Sequence, residues 1–568
     1  MFIDACELPQ DKTLRADLCI IGSGAAGVTL ALEMRNSGYS VILAEAGGKR
    51  ADADPTAVFG GEVCDPRHPP ADLYRARALG GTTTLWGGRC APFDPIDFAA
   101  RPWVPHSGWP ISSDEVERHY RMASAYLDLG RPAWHAEQAF HNPGGGLVPG
   151  LRDEDLSDHR LDRFSPVNFG ARYHDDLAGS TTIRVVLNAN CLRIGLTDNG
   201  EVVDCLHMAS RPGRTFTIRA RAYVLAAGGL ETARLLLLSD DVMTAGVGNG
   251  NDLVGRFYMC HLQGKAGVVR LKPEVTGVTH AYAHDRDGVY VRRRLSISER
   301  AQRRHGLMNF AARYEHPAIP DPDHRSGILS AMYLSRHFLK KEYARRLASC
   351  GINGELAIPD AAQLRRHLRN VLFDFPGVLW FAANWFPRRK FVYRRIPYVT
   401  LPNRDNAFHL DYYAEQAPNP DSRVTLMPDT DPFGRRRLKV DWRVSDQDRD
   451  SLVGCYRLMQ QRLRTSGLGE LEFDDERLRA SVEAIGGHHI GTTRMAAHPA
   501  QGVVDRDCKV FGVENLFIAS AATFPTCSHA SPTFTITAMA VRLARHVKDL
   551  FHREAVPRPV SQKVHTVV

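Results

Sequence analysis

The sequence predicts an α/β protein of two domains: one built on a parallel sheet assembled from separated stretches of chain, the other α+β around an antiparallel sheet. Three observations predict it. Leu18–Ile21 is an apolar run that enters the glycine turn Gly22-Ser23-Gly24-Ala25-Ala26-Gly27, then an apolar helix and a second strand ending at Glu45. Strand-like stretches resume only near Thr182, ending in Tyr223-Val224-Leu225-Ala226-Ala227-Gly228-Gly229, so the sheet is completed by distant chain. At 568 residues the chain is also too long for one core.

The glycine motif has a mechanical reading. Gly22 allows the tight turn, Gly24 lets the backbone approach a pyrophosphate, and Gly27 lets the helix lie close on the strand. The helix starts with free N–H groups aimed at the phosphates, which makes this half Rossmann-like. Glu45 stands where a carboxylate holds both hydroxyls of an adenosine ribose and repels a 2′-phosphate, leaving NAD or FAD. No crossover helix is evident for some 60 residues after Glu45; the stretch instead contains Ala76-Arg77-Ala78-Leu79-Gly80-Gly81-Thr82-Thr83-Thr84-Leu85-Trp86-Gly87-Gly88. Its Gly81 and Thr82 suit an extended cofactor passing the pyrophosphate site, which favours FAD. An NAD dehydrogenase remains the cofactor alternative.

Further along, Ile111 to about Leu129 reads as a helix with Ser113 as its N-cap, and Asp446–Ser466 as a helix ended by Gly467. Strands are expected at TIRVVLN, CLRIGLT and EVVDCLHMA, and again from Ala407 to Trp442 at AFHLDYYA, RVTLM and LKVDWRV. The domains are therefore drawn as 1–110, 180–262 and 484–554 for the cofactor, 111–179 and 263–483 for the substrate, and a disordered tail over 555–568.

Composition narrows the partners. A net charge of +8, without a long basic run, does not imply nucleic acid. The N-terminus has early acids and no apolar signal region, and no later stretch is long enough to span a bilayer, so the chain reads as cytoplasmic. The 11 cysteines are scattered, without CxxC or metal spacing, and no metal is expected. Residues 300–405 are rich in Arg and aromatics (HFLKKEYARRLAS, RRHLRN, LWFAANWFPRRKFVYRRIPY). The ordinary reading is a solvated helix face with snorkelling arginines; a membrane surface or an electron-accepting partner is the alternative.

Several motifs in order, GSGAAG with Glu45, ARALGGTTTL, LAAGGLETARLLLLS, EQAPNPDSRVTL, HHIGTTRM and NLFIASAATFPT, resemble the glucose–methanol–choline (GMC) oxidoreductases over nearly the whole chain. Within them the chain is similar to bacterial pyranose-oxidase-like sugar and polyol oxidoreductases. The resemblance implies non-covalent FAD and oxidation of a CH–OH group by hydride transfer to the flavin. The alcohol would be small and carbohydrate-like; the electron acceptor, oxygen, quinone or protein, stays open. It implies His488 as the active-site histidine, and an imidazole near neutrality can take the hydroxyl proton. The partner His or Asn of the family falls 43 residues on, where this chain has Ser531. Ser531 also reads as the N-cap of the last helix, and His529 is the other candidate for the missing polar group.

Cofactor positions carried over by the resemblance, beside Gly22, Gly24, Ala25 and Gly27, are Glu45, Ala46, Gly81, Thr82, Trp86, Gly87, Gly88, Cys191, Ala227, Ser520, Ala521, Pro532 and Thr533. The last helix would present its N-terminus near Thr533 to the flavin, stabilising an anionic reduced ring by about 0.3–2 kcal/mol. Leu85 stands where some pyranose oxidases carry the histidine that bonds FAD covalently. Alternative functions are a lyase of the same fold with a structural flavin, and a redox subunit passing electrons to a protein or quinone.

Overall fold

The computed structural model describes residues 1–51, 56–336, 360–403 and 405–555. Its first layer is an eight-stranded sheet. Phe2–Asp4, Ile183–Leu187, Val41–Ala44, Lys12–Ile21 and Arg214–Leu225 run side by side and parallel, with Leu516–Ile518 parallel on Arg214–Leu225. Val203–Arg211 and Asn190–Leu196 complete it antiparallel. Strands buried on both faces should be continuously apolar, and Val41–Ala44 is buried at every residue. The glycine-motif helix, Ala25–Met34, is buried nearly all round because the last helix, Thr533–Ala555, packs across it.

The second layer is a nine-stranded sheet, antiparallel throughout, whose main path runs Gly469–Glu472, Leu262–Leu271, Ala407–Ala414, Phe310–Glu315, Tyr290–Ile297, Leu156–Phe164 and Arg89–Cys90. Each sheet has its own apolar core; that of the second is closed by the helix Asp446–Thr465. Ser445 caps this helix reciprocally with Asp448, and Gly467 ends it at φ +70°.

Three expected boundaries shift. The helix expected over 111–129 is two short ones, Ser113–Glu117 and Tyr120–Tyr126, and its N-cap is Ser112, whose hydroxyl accepts from Glu115 N while Glu115 caps it in return. Its residues Ile111, Val116, Tyr120 and Leu127, with Phe169, Tyr173 and Leu177, pack in the core of the first sheet. Segment 111–179 therefore divides, only Leu156–Phe164 entering the second sheet, and Arg89–Cys90 from the first segment joins it there. Of the expected tail only Ala555 is described, as the end of the last helix; residues 556–568, like HFLKKEYARRLAS, lie outside the described residues.

Candidate active site

The end of Lys12–Ile21 delivers the chain into a turn that only glycine fits. Gly22 sits at φ +101°, and a Cβ there would lie 2.6 Å from the Ala226 carbonyl oxygen. A Cβ on Gly27 would lie 1.9 Å from the Gly22 oxygen, whereas one on Gly24 would meet nothing. Gly24 is the N-cap of Ala25–Met34 and no side chain caps it, so the first amides of the helix are open toward a cavity. The loop 80–84 closes over them: Gly80 N donates to the Ser23 carbonyl at 3.1 Å, and a Cβ on Gly81 would touch Gly24 Cα at 3.0 Å.

Glu45 is buried beside this turn, its carboxyl pushed up by burial against the lowering effect of its hydrogen bonds. One oxygen accepts from Ser23 N at 3.0 Å and Ser23 Oγ at 2.7 Å, the other from Gly47 N at 2.9 Å. The first oxygen is already engaged twice; the second keeps a lone pair for a ligand hydroxyl.

One cavity is walled by Gly22, Gly24, Ala25, Glu45, Ala46, Gly81, Thr82, Trp86, Gly87, Gly88, Cys191, Ala227, Ser520, Ala521, Ser531, Pro532, Thr533 and His488. Gly27 lies beneath the wall, holding helix to strand. The Cys191 carbonyl accepts from Arg435 Nη1 at 3.2 Å, so its acceptor is already engaged by the protein. Ser520 caps the turn Ala521–Thr523 through Ala522 N at 3.2 Å.

Two expectations are corrected. The last helix begins at Thr533 and its first backbone bond, Ile536 N to the Pro532 carbonyl at 2.8 Å, puts Pro532 in the capping position. Ser531 stands one residue outside, so it faces the cavity rather than capping. His529 does not reach the cavity: its ring is fully buried with Nε2 3.8 Å from Asp94 Oδ2, because the loop between Thr526 and Ser531 turns it toward the second sheet.

The structure supplies instead a residue with no sequence signal. His261, at the entry to Leu262–Leu271, is wholly buried, and its Nδ1 lies 2.9 Å from His488 Nδ1 with the rings edge-on. His488 lines the cavity; the protein around it and then the Arg89 guanidinium push its imidazolium down to about 3, so it stands neutral at ordinary pH. Arg89 also lines the cavity and stacks 3.9 Å from the Tyr413 ring centroid. His489 also borders the cavity, but with different partners. Its Nδ1 meets Tyr258 Oη at 2.7 Å, and the same hydroxyl meets His68 Nε2 at 2.8 Å.

His68, Cys260 and His489 offer ligand atoms within 4.8 Å of one another. The Tyr258 hydroxyl sits among them and engages both rings, which takes lone pairs a metal would need.

Beneath the loop carrying His529 lies a buried carboxylate cluster. Asn309 Nδ2 donates to Asp94 at 3.1 Å and to Asp97 at 2.9 Å, while Arg101 pairs with Glu415 at 2.5 and 2.7 Å. Burial, then Glu415 and Asp94, push Asp97 up to about 7. The loop is tied to this cluster by Thr526 Oγ1, which donates to the Asp97 carbonyl at 2.7 Å.

Comparison with known proteins identifies the frame. Residues 418–540, which include HHIGTTRM and the start of the last helix, match the family model of the GMC oxidoreductases. This chain carries a GMC oxidoreductase domain. Over 94% of its length it is 23% identical to a 6'''-hydroxyparomomycin C oxidase of Streptomyces lividus, covering 91% of that protein. Over 96% it is 22% identical to a 2-methyl-1,2-propanediol dehydrogenase of Mycolicibacterium austroafricanum, covering 98%. A solved FAD-dependent oxidoreductase of Chaetomium thermophilum shares the fold at TM-score 0.54 and 15% identity, over 95% of this chain and all of that one. GMC oxidoreductases are flavoproteins, and the residues present here fit FAD: an uncapped helix N-terminus for phosphate, Glu45 for ribose, and a second helix N-terminus at Thr533 on the same cavity.

Gly27→Val tests the cradle. The added carbons displace the Gly22 backbone, and the variant is expected to purify with under about a tenth of the wild-type flavin absorbance. A fully yellow variant would show that the turn does not set cofactor binding.

Proposed function

We propose that this GMC-type enzyme oxidises a CH–OH group of a sugar, polyol or sugar-derived compound, with non-covalent FAD in the cavity and His488 as the proton acceptor. The observation that carries the reading is a neutral imidazole, His488, on the wall of the cavity that the glycine cradle opens into. The names of two relatives, an oxidase of a hydroxylated paromomycin and a propanediol dehydrogenase, support an alcohol substrate. They differ in acceptor, so either an oxidase or a dehydrogenase is consistent with them.

Bound FAD would supply the two-electron acceptor for hydride. Gly22, Gly24, Ala25, Gly81 and Thr82 would hold its phosphates and Glu45 its ribose, with the N-terminus of the last helix at Thr533 on the same cavity. Leu85, an exposed aliphatic on the cavity wall, offers no bond to a flavin ring.

His488 works through its tautomer. Its Nδ1 and that of His261 share one hydrogen bond, so one of the two must carry the proton. His261 Nε2 is buried and makes no hydrogen bond among the described residues. With the His261 proton on Nε2, its Nδ1 accepts from His488 Nδ1–H, and His488 keeps a bare Nε2. His261 is thus a positioning residue. A low-lying imidazole suffices as base, because loss of the carbon-bound hydrogen makes the remaining hydroxyl proton strongly acidic. Arg89 adds a cation that helps to keep His488 unprotonated. With His529 turned from the cavity, the family's second polar position is left to the Ser531 hydroxyl on the wall.

His488→Ala is expected to retain FAD and to slow alcohol-driven flavin reduction about 10²–10⁴-fold in anaerobic stopped flow. An unchanged rate would remove His488 from the chemistry. Since His488 is neutral down to about 3, the wild-type reduction rate should stay flat from roughly pH 8 to pH 5. An acid limb centred near the ordinary histidine value of about 6.5 would contradict the neutral base.

A further inference from the structure

The consecutive helices Ala361–Phe373 and Phe375–Lys390 both stand on the helix Gly327–Leu334, and they stand on it the wrong way round. What they turn inward is polar. Gln363 Nε2 donates to the Pro320 carbonyl at 2.8 Å, Asn370 Nδ2 to the Pro322 carbonyl at 2.8 Å, and His367 Nδ1 meets Ser330 Oγ at 3.0 Å. His367 and Asn370 are the buried residues of the first helix; the second buries none.

What they turn outward is apolar. Leu364, Leu368 and Leu372 follow at one-turn spacing, Leu372 being 75% and the adjoining Phe373 84% exposed, with Trp380 at 70% and Phe391 at 78% beyond. An ordinary surface helix buries such a stripe and exposes its polar face.

The flanks of this crest are cationic. Arg365, Arg369, Arg388, Lys390 and Arg395 are exposed and form no ion pair with any described residue. Between 361 and 395 the single acid is Asp374, which turns back to accept from Gly327 N at 3.3 Å. No helix among the described residues is long and apolar enough to cross a membrane. An apolar, aromatic crest flanked by unneutralised arginines matches one kind of surface: a headgroup layer of anionic phospholipid.

We propose that this pair of helices seats the protein on an anionic lipid surface. Leu372, Phe373, Trp380 and Phe391 enter the boundary between headgroups and acyl chains, and the arginines and Lys390 pair with lipid phosphates.

The test is flotation of the purified full-length chain with vesicles of phosphatidylcholine alone and with phosphatidylglycerol added. About tenfold more protein should float with the anionic vesicles, and the excess should fall as salt is raised. Leu372→Asp/Phe373→Asp/Trp380→Asp should lose that binding while keeping the wild-type circular dichroism, and Arg388→Glu/Lys390→Glu should weaken it independently of the apolar crest. No flotation at low salt, or flotation unchanged in both variants, would overturn the proposal. So would a wild-type dimer that ignores vesicles and becomes a monomer in the triple variant, because the crest would then belong to a second copy.

Discussion

The structure depends on one close approach of backbones. Gly22 passes the Ala226 carbonyl where a Cβ would be 2.6 Å away, and Gly27 lies on Gly22 with no room for a side chain at all. That contact brings the ends of Lys12–Ile21 and Arg214–Leu225 together, two strands some 200 residues apart in sequence and paired in register to Leu225 and Ile21. It also aims the uncapped start of Ala25–Met34 into the cavity. Gly24, Glu45, the turn at Gly80-Gly81 and the segment Ala226–Gly229 all take their places from it.

On the opposite wall the chemistry is assembled by different forces. His488 comes from the loop after the second layer and His261 from the first strand that follows the cofactor sheet, so the pair exists only where the two layers meet. Burial makes both imidazoles neutral, and a single shared hydrogen bond decides which nitrogen is free. The loop beside them is held by apolar packing of Cys527 and Ala530 and by Thr526 on the Asp97 carbonyl, over a buried polar network of Arg101 with Glu415 and Asn309 across Asp94 and Asp97. Such a network fixes one arrangement because every broken contact would strand a buried polar group.

The cofactor half was legible because its constraints act through backbone. A glycine required by a carbonyl 2.6 Å away leaves a glycine in the sequence, and GSGAAG, Glu45 and the Gly80-Gly81 turn all print this way. Side-chain meetings between distant segments leave no such mark. His261 sits in Met259-Cys260-His261-Leu262 and reads as any histidine at a strand start until the fold sets it against His488. His529 and Ser531 are two residues apart, and only the course of the loop decides which one faces the cavity. The first helix after the cofactor loops was misplaced by a residue at its cap, since Ser112 and Ser113 offer the same hydroxyl. The basic, aromatic stretch near 380 was visible as composition, but composition does not tell which face a helix presents; Gln363, His367 and Asn370 turning inward settled it.

The proposed function is the reduction of a flavin in this cavity by a sugar-like alcohol. Its most direct test is the visible spectrum of the purified protein under anaerobic conditions, before and after a panel of sugars, aminosugars and polyols. A yellow flavin spectrum bleached by at least one of them is the predicted result. A yellow protein that none of them bleaches, or protein that stays colourless after reconstitution with FAD, would contradict it.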